Sequence, residues 1–242
     1  MRGTNVAVQS PTYAATADFN GDGKLDLAVI GANAQSNPAI YILLGNDDGT
    51  FQSSVEYPVS ITSYFSPLTI ATGDFNGDGK SDLIAGSSVL LGNGDGTFLD
   101  GPSLPANVTA VVAGDFNKDG KLDIAGLEDE GAYLLVMLGN GDGTFQALSP
   151  IDLGPGGVDG YAGIWLVTTD FDGDGQLDLA VAVSPAPTEI GQIDIFRGNG
   201  DGTFQAPTQC SARIPAYFAA VDFNKDGKQD LAITDFGMGF PG

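Results

Sequence analysis

Histidine is absent from this 242-residue chain, and cysteine and tryptophan occur once each, as Cys210 and Trp165. Without His the commonest general base near neutral pH is missing, and Ser–His and Cys–His nucleophile pairs go with it. A single Cys excludes an internal disulfide framework, and Cys210 reads as a small buried hydrophobe rather than a reactive thiol. Soft and borderline metals lose their usual ligands. Only nine residues are basic against 31 acidic ones, for a formal net charge of −22. No surface of such a chain can neutralise a phosphate backbone, so nucleic acid is excluded as a partner, and anionic lipid on the same ground. No apolar run approaches the ~18 residues of a membrane-spanning helix, so membrane insertion is not expected. Met1–Thr4 leads into no apolar block of the kind a signal peptide needs. Sustained helical periodicity is also missing. Gly (36) and Pro (13) punctuate short β-rich runs instead.

What the chain does have is one nine-residue pattern in five copies: DFNGDGKLD, DFNGDGKSD, DFNKDGKLD, DFDGDGQLD and DFNKDGKQD. They begin at residues 18, 74, 115, 170 and 222, with intervals of 56, 41, 55 and 52 residues. Positions 1, 3, 5 and 9 carry oxygen-bearing side chains, and position 7 can offer its backbone carbonyl. The predicted ligands of the first loop are Asp18, Asn20, Asp22, Lys24 and Asp26. Those of the second are Asp74, Asn76, Asp78, Lys80 and Asp82, and of the third Asp115, Asn117, Asp119, Lys121 and Asp123. The fourth offers Asp170, Asp172, Asp174, Gln176 and Asp178, and the fifth Asp222, Asn224, Asp226, Lys228 and Asp230. In each, position 7 is expected to turn its side chain to solvent, and Gly at position 6 permits the sharp turn. Hard oxygen donors on a flexible loop suit Ca²⁺ better than Mg²⁺, so about five Ca²⁺ ions are expected, one per repeat. An EF-hand is excluded, because its twelfth position should be Glu and is Val29, Ala85, Gly126, Val181 or Ile233. The fourth loop alone has four carboxylates and is expected to bind most tightly. Phe at position 2 and Leu or Ile at position 10 should point inward between repeats.

A second element follows the first four loops: LGNDDGTF, LGNGDGTF, LGNGDGTF and RGNGDGTF, at residues 44–51, 91–98, 138–145 and 197–204. Asn-Gly and Asp-Gly steps between apolar residues mark hairpin turns. In the first repeat they separate predicted strands at Tyr13–Ala17, Leu25–Ile30, Ala39–Leu44 and Phe51–Val59. Four antiparallel strands in ~40–55 residues, repeated, describe a β-propeller blade. The chain as a whole, residues 1–242, therefore reads as one all-β propeller domain of five four-stranded blades. The last blade is expected to draw two strands and a poor third (Gly237–Gly242) from the C-terminus and its fourth from the N-terminus. A closed ring would be a monomer and an open one an oligomer. A segment of a larger propeller, or an engineered one, is the competing reading.

The DFNGDGKxD loops together with the LGNGDGTF turns resemble the FG-GAP/VCBS repeats of integrin α-subunit propellers and of many secreted proteins. The resemblance spans essentially the whole chain. It implies Ca²⁺ in the loops of each blade, an extracellular or cell-surface address, and roles in adhesion or carbohydrate recognition, with glycans or extracellular proteins as partners. Relatives usually have seven blades. The expected function is thus a non-catalytic binding scaffold. A lectin is the sharper alternative, with Tyr13, Trp165 and Tyr217 five residues before their loops and Tyr64, Phe65, Tyr161 and Phe218 nearby as aromatic candidates. An accessory domain of a secreted polysaccharide-acting enzyme is the third. The acidic run Glu128, Asp129 and Glu130 is expected in a solvated hairpin loop.

Overall fold

A computed structural model describes residues 8–59, 68–128, 133–154, 163–183, 191–211 and 215–235. Every regular element among them is a strand. Blade 1 consists of β1 (Gln9–Ala17), β2 (Asp26–Ala32), β3 (Pro38–Leu43) and β4 (Val55–Pro58). Blade 2 has β5 (Ala71–Gly73), β6 (Asp82–Ala85), β7 (Ser88–Gly92) and β8 (Phe98–Asp100). Blade 3 has β9 (Val108–Gly114), β10 (Asp123–Glu128), β11 (Tyr133–Gly139) and β12 (Phe145–Ala147), with a short β13 (Ile151–Asp152) also on β11. Blade 4 has β14 (Gly163–Thr169), β15 (Asp178–Val183), β16 (Gln192–Phe196) and β17 (Thr208–Ser211). β18 (Pro215–Val221) and β19 (Asp230–Asp235) make a two-stranded fifth sheet. Each sheet is an antiparallel meander in sequence order, as short hairpin connections dictate.

The first strands of successive sheets lie beside one another, β1 by β5, β5 by β9, β9 by β14 and β14 by β18. This is the blade arrangement of a β-propeller. Thr69 laces blade 2 to blade 3: its hydroxyl donates to the Val111 carbonyl (3.1 Å) and accepts from the Val111 amide (2.7 Å). The core lies between blades rather than within them. Leu127, Leu134 and Val136 of blade 3 pack on Leu179, Val181 and Phe196 of blade 4. Ile40 and Ile42 of blade 1 meet Leu83 and Leu90 of blade 2 in the same way. Second strands are sandwiched between two neighbouring blades, so β15 (DLAVAV) is buried along its whole length. Its continuous apolar run, without alternation, is what two covered faces require. Each such Leu, Ile or Val contributes about 1.5–3 kcal/mol relative to exposure.

The expectation of five four-stranded blades is corrected in detail: among the described residues four sheets are four-stranded or larger, and the fifth is a strand pair. Residues from Gln9 onward extend the first strand of blade 1, pairing Gln9 with Ala32, instead of leaving for another blade. The remaining N-terminal residues 1–7 and the weak third strand at 237–242 lie outside the described residues. No helix among the described residues is long and apolar enough to cross a membrane.

Candidate metal centre

All five nine-residue loops join the first strand of a blade to its second, at one end of the propeller. The loop fold is built by its own side chains. Oδ1 of Asp18 accepts the amides of Gly21 (2.8 Å) and Asp22 (3.2 Å), and its Oδ2 accepts that of Gly23 (2.8 Å). Asn20 Oδ1 also takes the Asp22 amide (3.0 Å), and Asp22 Oδ1 takes that of Lys24 (3.0 Å). These side-chain-to-backbone bonds are the reason Asp and Asn nucleate such turns. The second loop repeats them at Asp74, Asn76 and Asp78, and the third at Asp115, Asn117 and Asp119. So does the fifth at Asp222, Asn224 and Asp226. Position 6 is a glycine with φ near +80°, as at Gly23 and Gly79.

Position 7 departs from expectation. The Lys24 ammonium bends back onto Asp22 Oδ2 at 2.9 Å, and Lys80 reaches Asp78 at 3.3 Å. Lys121 approaches Asp119 at 3.8 Å. A cluster of carboxylates draws the nearest cation, and a lysine two residues away is long enough to reach. The hydrogen bond to Lys24 holds the Asp22 carboxyl below its ordinary range. The fourth loop has Gln176 at this position, and its cation comes from elsewhere. Arg197 Nη1 of the following turn donates to Asp172 Oδ2 at 2.6 Å. The legible signal for this pair was a double exchange: Asp for Asn at position 3, and Arg for Leu at the head of the turn.

Asp170, Asp172 and Asp174 each place a carboxylate oxygen within 4.8 Å of the others. Calcium–oxygen bonds of about 2.3–2.6 Å let one ion bridge oxygens up to about 5 Å apart, so this spacing fits Ca²⁺. It is the only group of three or more acidic, His or Cys side chains so arranged among the described residues. In the other loops position 3 is Asn, which offers an amide oxygen instead. Ca²⁺ held there by positions 1, 3 and 5 and the position-7 carbonyl would supply positive charge and cross-link the loop.

The position-9 carboxylates do different work. Asp26 is fully buried; its Oδ2 accepts the Phe19 amide (2.9 Å) and its Oδ1 the Gly45 amide (2.7 Å). Asp82 holds Phe75 and Gly92 in the same way, Asp123 holds Phe116 and Gly139, and Asp178 holds Phe171 and Gly198. Each thus staples the loop to the turn of its own blade. Asp178 lies outside the three-carboxylate group. Burial pushes the Asp82, Asp123 and Asp178 carboxyls up, the two amide bonds pull them down, and the neighbouring loop aspartates push up again. The turn glycines are obligatory here, since a Cβ on Gly92 would collide with the Ser81 carbonyl. Asp230 accepts the Phe223 amide (3.1 Å).

The LGNGDGTF segments are hairpin turns, as expected. Asp95 Oδ1 accepts the Thr97 amide (3.0 Å) and hydroxyl (2.6 Å), and the Asn93 amide donates to the Thr97 carbonyl (2.9 Å).

A family model described as FG-GAP-like repeat matches residues 12–85, 115–181 and 170–233. The chain belongs to this family. FG-GAP-like repeats thus account for both the loops and the blades that carry them. Among solved structures, the one titled "Crystal structure of BBS1N in complex with ARL6DN, soaked with lead" aligns with a TM-score of 0.51 at 15% identity. It covers 88% of this chain and 61% of that one, so this chain spans about three-fifths of that structure's length. The likeness concerns the fold alone. The structure of AofleA from Arthrobotrys oligospora aligns at TM-score 0.44 and 12% identity over 91% of this chain and 58% of its own. No curated protein sequence matches the chain.

Of the aromatic candidates, Tyr13 and Trp165 pack against each other, ring centroids 6.0 Å apart and tilted by 57°. They belong to the first strands of blades 1 and 4, and both are half-buried. Thr69 and Ala110, at the matching positions, are buried. Tyr64, Phe65 and Tyr161 lie outside the described residues, as do the side chains of Tyr217 and Phe218. Asp129 and Glu130 also lie outside them; Glu128 ends β10. Cys210, expected to be buried, is exposed. It sits on β17, the outermost strand of blade 4, where no further strand among the described residues pairs with it.

Proposed function

We propose that this chain is a Ca²⁺-binding, non-catalytic propeller that serves as an extracellular binding scaffold. The observation that carries the reading is the three-carboxylate group of Asp170, Asp172 and Asp174, repeated with Asn at position 3 in the other four loops. Only hard oxygen donors converge there, which favours Ca²⁺ over transition metals. The ion's role is structural. Each loop concentrates negative charge at the end of a blade, and a divalent ion offsets that repulsion. Catalysis has little to draw on, since the chain lacks His and every Lys lies in a loop. The extracellular address rests on family character, and so does recognition of glycans or extracellular proteins. Thermal unfolding with Ca²⁺ and with chelator, alongside native mass spectrometry, tests the reading. Ion binding to the folded state raises the melting temperature as Ca²⁺ rises. A melting temperature and mass indifferent to chelator would overturn it.

A further inference from the structure

Five asparagines of this chain are followed by glycine: Asn20 and Asn76 in the loops, and Asn93, Asn140 and Asn199 in the turns. An Asn-Gly step can rearrange without an enzyme. The glycine amide gives its proton to solvent, and its nitrogen bonds to the side-chain carbonyl carbon. Ammonia leaves as the succinimide ring closes. Water then opens the ring at either carbonyl and leaves aspartate or isoaspartate, with no redox partner involved. Glycine favours the closure because it brings no Cβ to obstruct it.

The fold treats the two groups differently. In the loops both reacting groups are held. The Gly21 amide donates to Asp18 Oδ1 (2.8 Å), and the Gly77 amide to Asp74 Oδ1 (2.7 Å). Asn20 Oδ1 accepts the Asp22 amide and Asn76 Oδ1 that of Asp78, each at 3.0 Å. Both asparagines are half-buried. In the turns the carboxylate is engaged elsewhere. Asp95 Oδ1 takes the Thr97 amide and hydroxyl, and Asp142 and Asp201 do the same with Thr144 and Thr203. Among the described residues nothing accepts from the Gly94, Gly141 or Gly200 amide. Asn93, Asn140 and Asn199 are exposed to the water that opens the ring.

We propose that Asn93, Asn140 and Asn199 are sites of spontaneous conversion to aspartate and isoaspartate, and that the conversion loosens the contacts between blades. Each side-chain Nδ2 donates to the threonine hydroxyl of its turn, at 2.8, 2.8 and 2.9 Å. The hydrogen of that hydroxyl already goes to Asp95, Asp142 or Asp201. A carboxylate in the asparagine's place has no hydrogen to give, so two anions face one hydroxyl. The same turns carry bonds that join neighbouring blades. The amides of Gly96, Gly143 and Gly202 donate to the carbonyls of Phe19, Phe75 and Phe116 in the preceding blade, each at 3.0 Å. A distorted turn loses them. The proposal does not depend on any bound ion.

Peptide-resolved mass spectrometry of the full chain, held folded at mildly alkaline pH in chelator, tests the assignment. With chelator present, protection of the loops comes from Asp18 and Asp74 rather than from an ion. The three turn asparagines should convert about tenfold faster than Asn20 and Asn76, the rate equivalent of one charge-assisted hydrogen bond that must break first. Asn46 keeps the turn's bond to Thr50 but precedes Asp47, and should be slow as well. In urea, Asn20 and Asn76 should catch up with the turns, and Asn46 should not. Equal rates in the folded protein, faster loops, or turns that convert only in urea would overturn the assignment. Asn93→Asp, one of the two products, should lower the urea midpoint. A midpoint equal to that of the wild type would overturn the loosening.

Discussion

Asp78 and Asp82 are the same residue type in one loop, four positions apart, yet the fold treats them oppositely. Asp78 faces solvent, and beyond taking the Lys80 amide it answers only to that lysine's ammonium. Asp82 is wholly buried, and both its oxygens accept backbone amides, one from the loop and one from the turn of its blade. The contrast recurs in the first, third and fourth loops. A motif that reads as one ligand set therefore contains two kinds of carboxylate: at position 5 one that is exposed to a cation, and at position 9 one that is buried with both oxygens taken up by the protein's own amides. Acidic residues of the first kind matter to the fold mainly through an ion; those of the second kind matter without one.

The sharpest way to break this comparison is Asp82→Ala. It strands two buried amides and should cost about 3 kcal/mol or more in urea unfolding, with Ca²⁺ or with chelator. A loss seen only with Ca²⁺ would make Asp82 chiefly an ion ligand and erase the distinction. Arg197→Leu restores the residue found at the other turn heads and frees Asp172 in the fourth loop. Removing one nearby positive charge should raise Ca²⁺ affinity at that site about tenfold, or ~1.4 kcal/mol, in a calorimetric titration. Unchanged affinity would mean that Arg197 leaves the carboxylate at no cost. Asp78→Ala should cost the chelated protein no more than about 1 kcal/mol, because an exposed ion pair contributes little. Native mass spectrometry should nonetheless show one fewer ion.

A buried carboxylate away from the loops offers a control. Burial pushes the Asp194 carboxyl up, against hydrogen bonds from Gln209 and Gln192 that pull it down. The folded state therefore holds its proton more tightly than the unfolded chain. Its contribution falls as pH rises from the ordinary carboxylate range through the raised folded value, then levels off. Asp194→Asn should raise the urea midpoint at neutral pH, and the gain should shrink in acid. A gain independent of pH would contradict this. The smallest effect belongs to Lys118, a non-glycine residue at φ +60° where the first, second and fourth loops place Gly. Lys118→Gly relieves the left-handed strain but loosens the unfolded chain, for a net gain of about 0.5 kcal/mol in the same assay.

Much of this was legible along the chain. The predicted strands Tyr13–Ala17 and Ala39–Leu44 correspond to β1 and β3, and the loops and turns fall where their Asp, Asn and Gly residues stand. These features are local: an Asx side chain bonds an amide two to five residues on, and a glycine takes a positive φ, whatever lies nearby. Other features were not legible. Position 2 is Phe in every loop, but Phe19 is buried under the turn of blade 2 while Phe223 is open. Position 9 is Asp in every loop, but its second partner, Gly45 for Asp26, comes from 19 residues away. Cys210 carries no mark of belonging to an outermost strand. The sequence alone determined the repeats, the strand order within a blade, the acidity and the oxygen-rich loops. Only the tertiary structure decided which carboxylates are buried, which cation meets Asp172, and which loop phenylalanines lie under a turn. The physical reason is that burial and pairing depend on what the neighbouring blade presents, and identical motifs do not have identical neighbours.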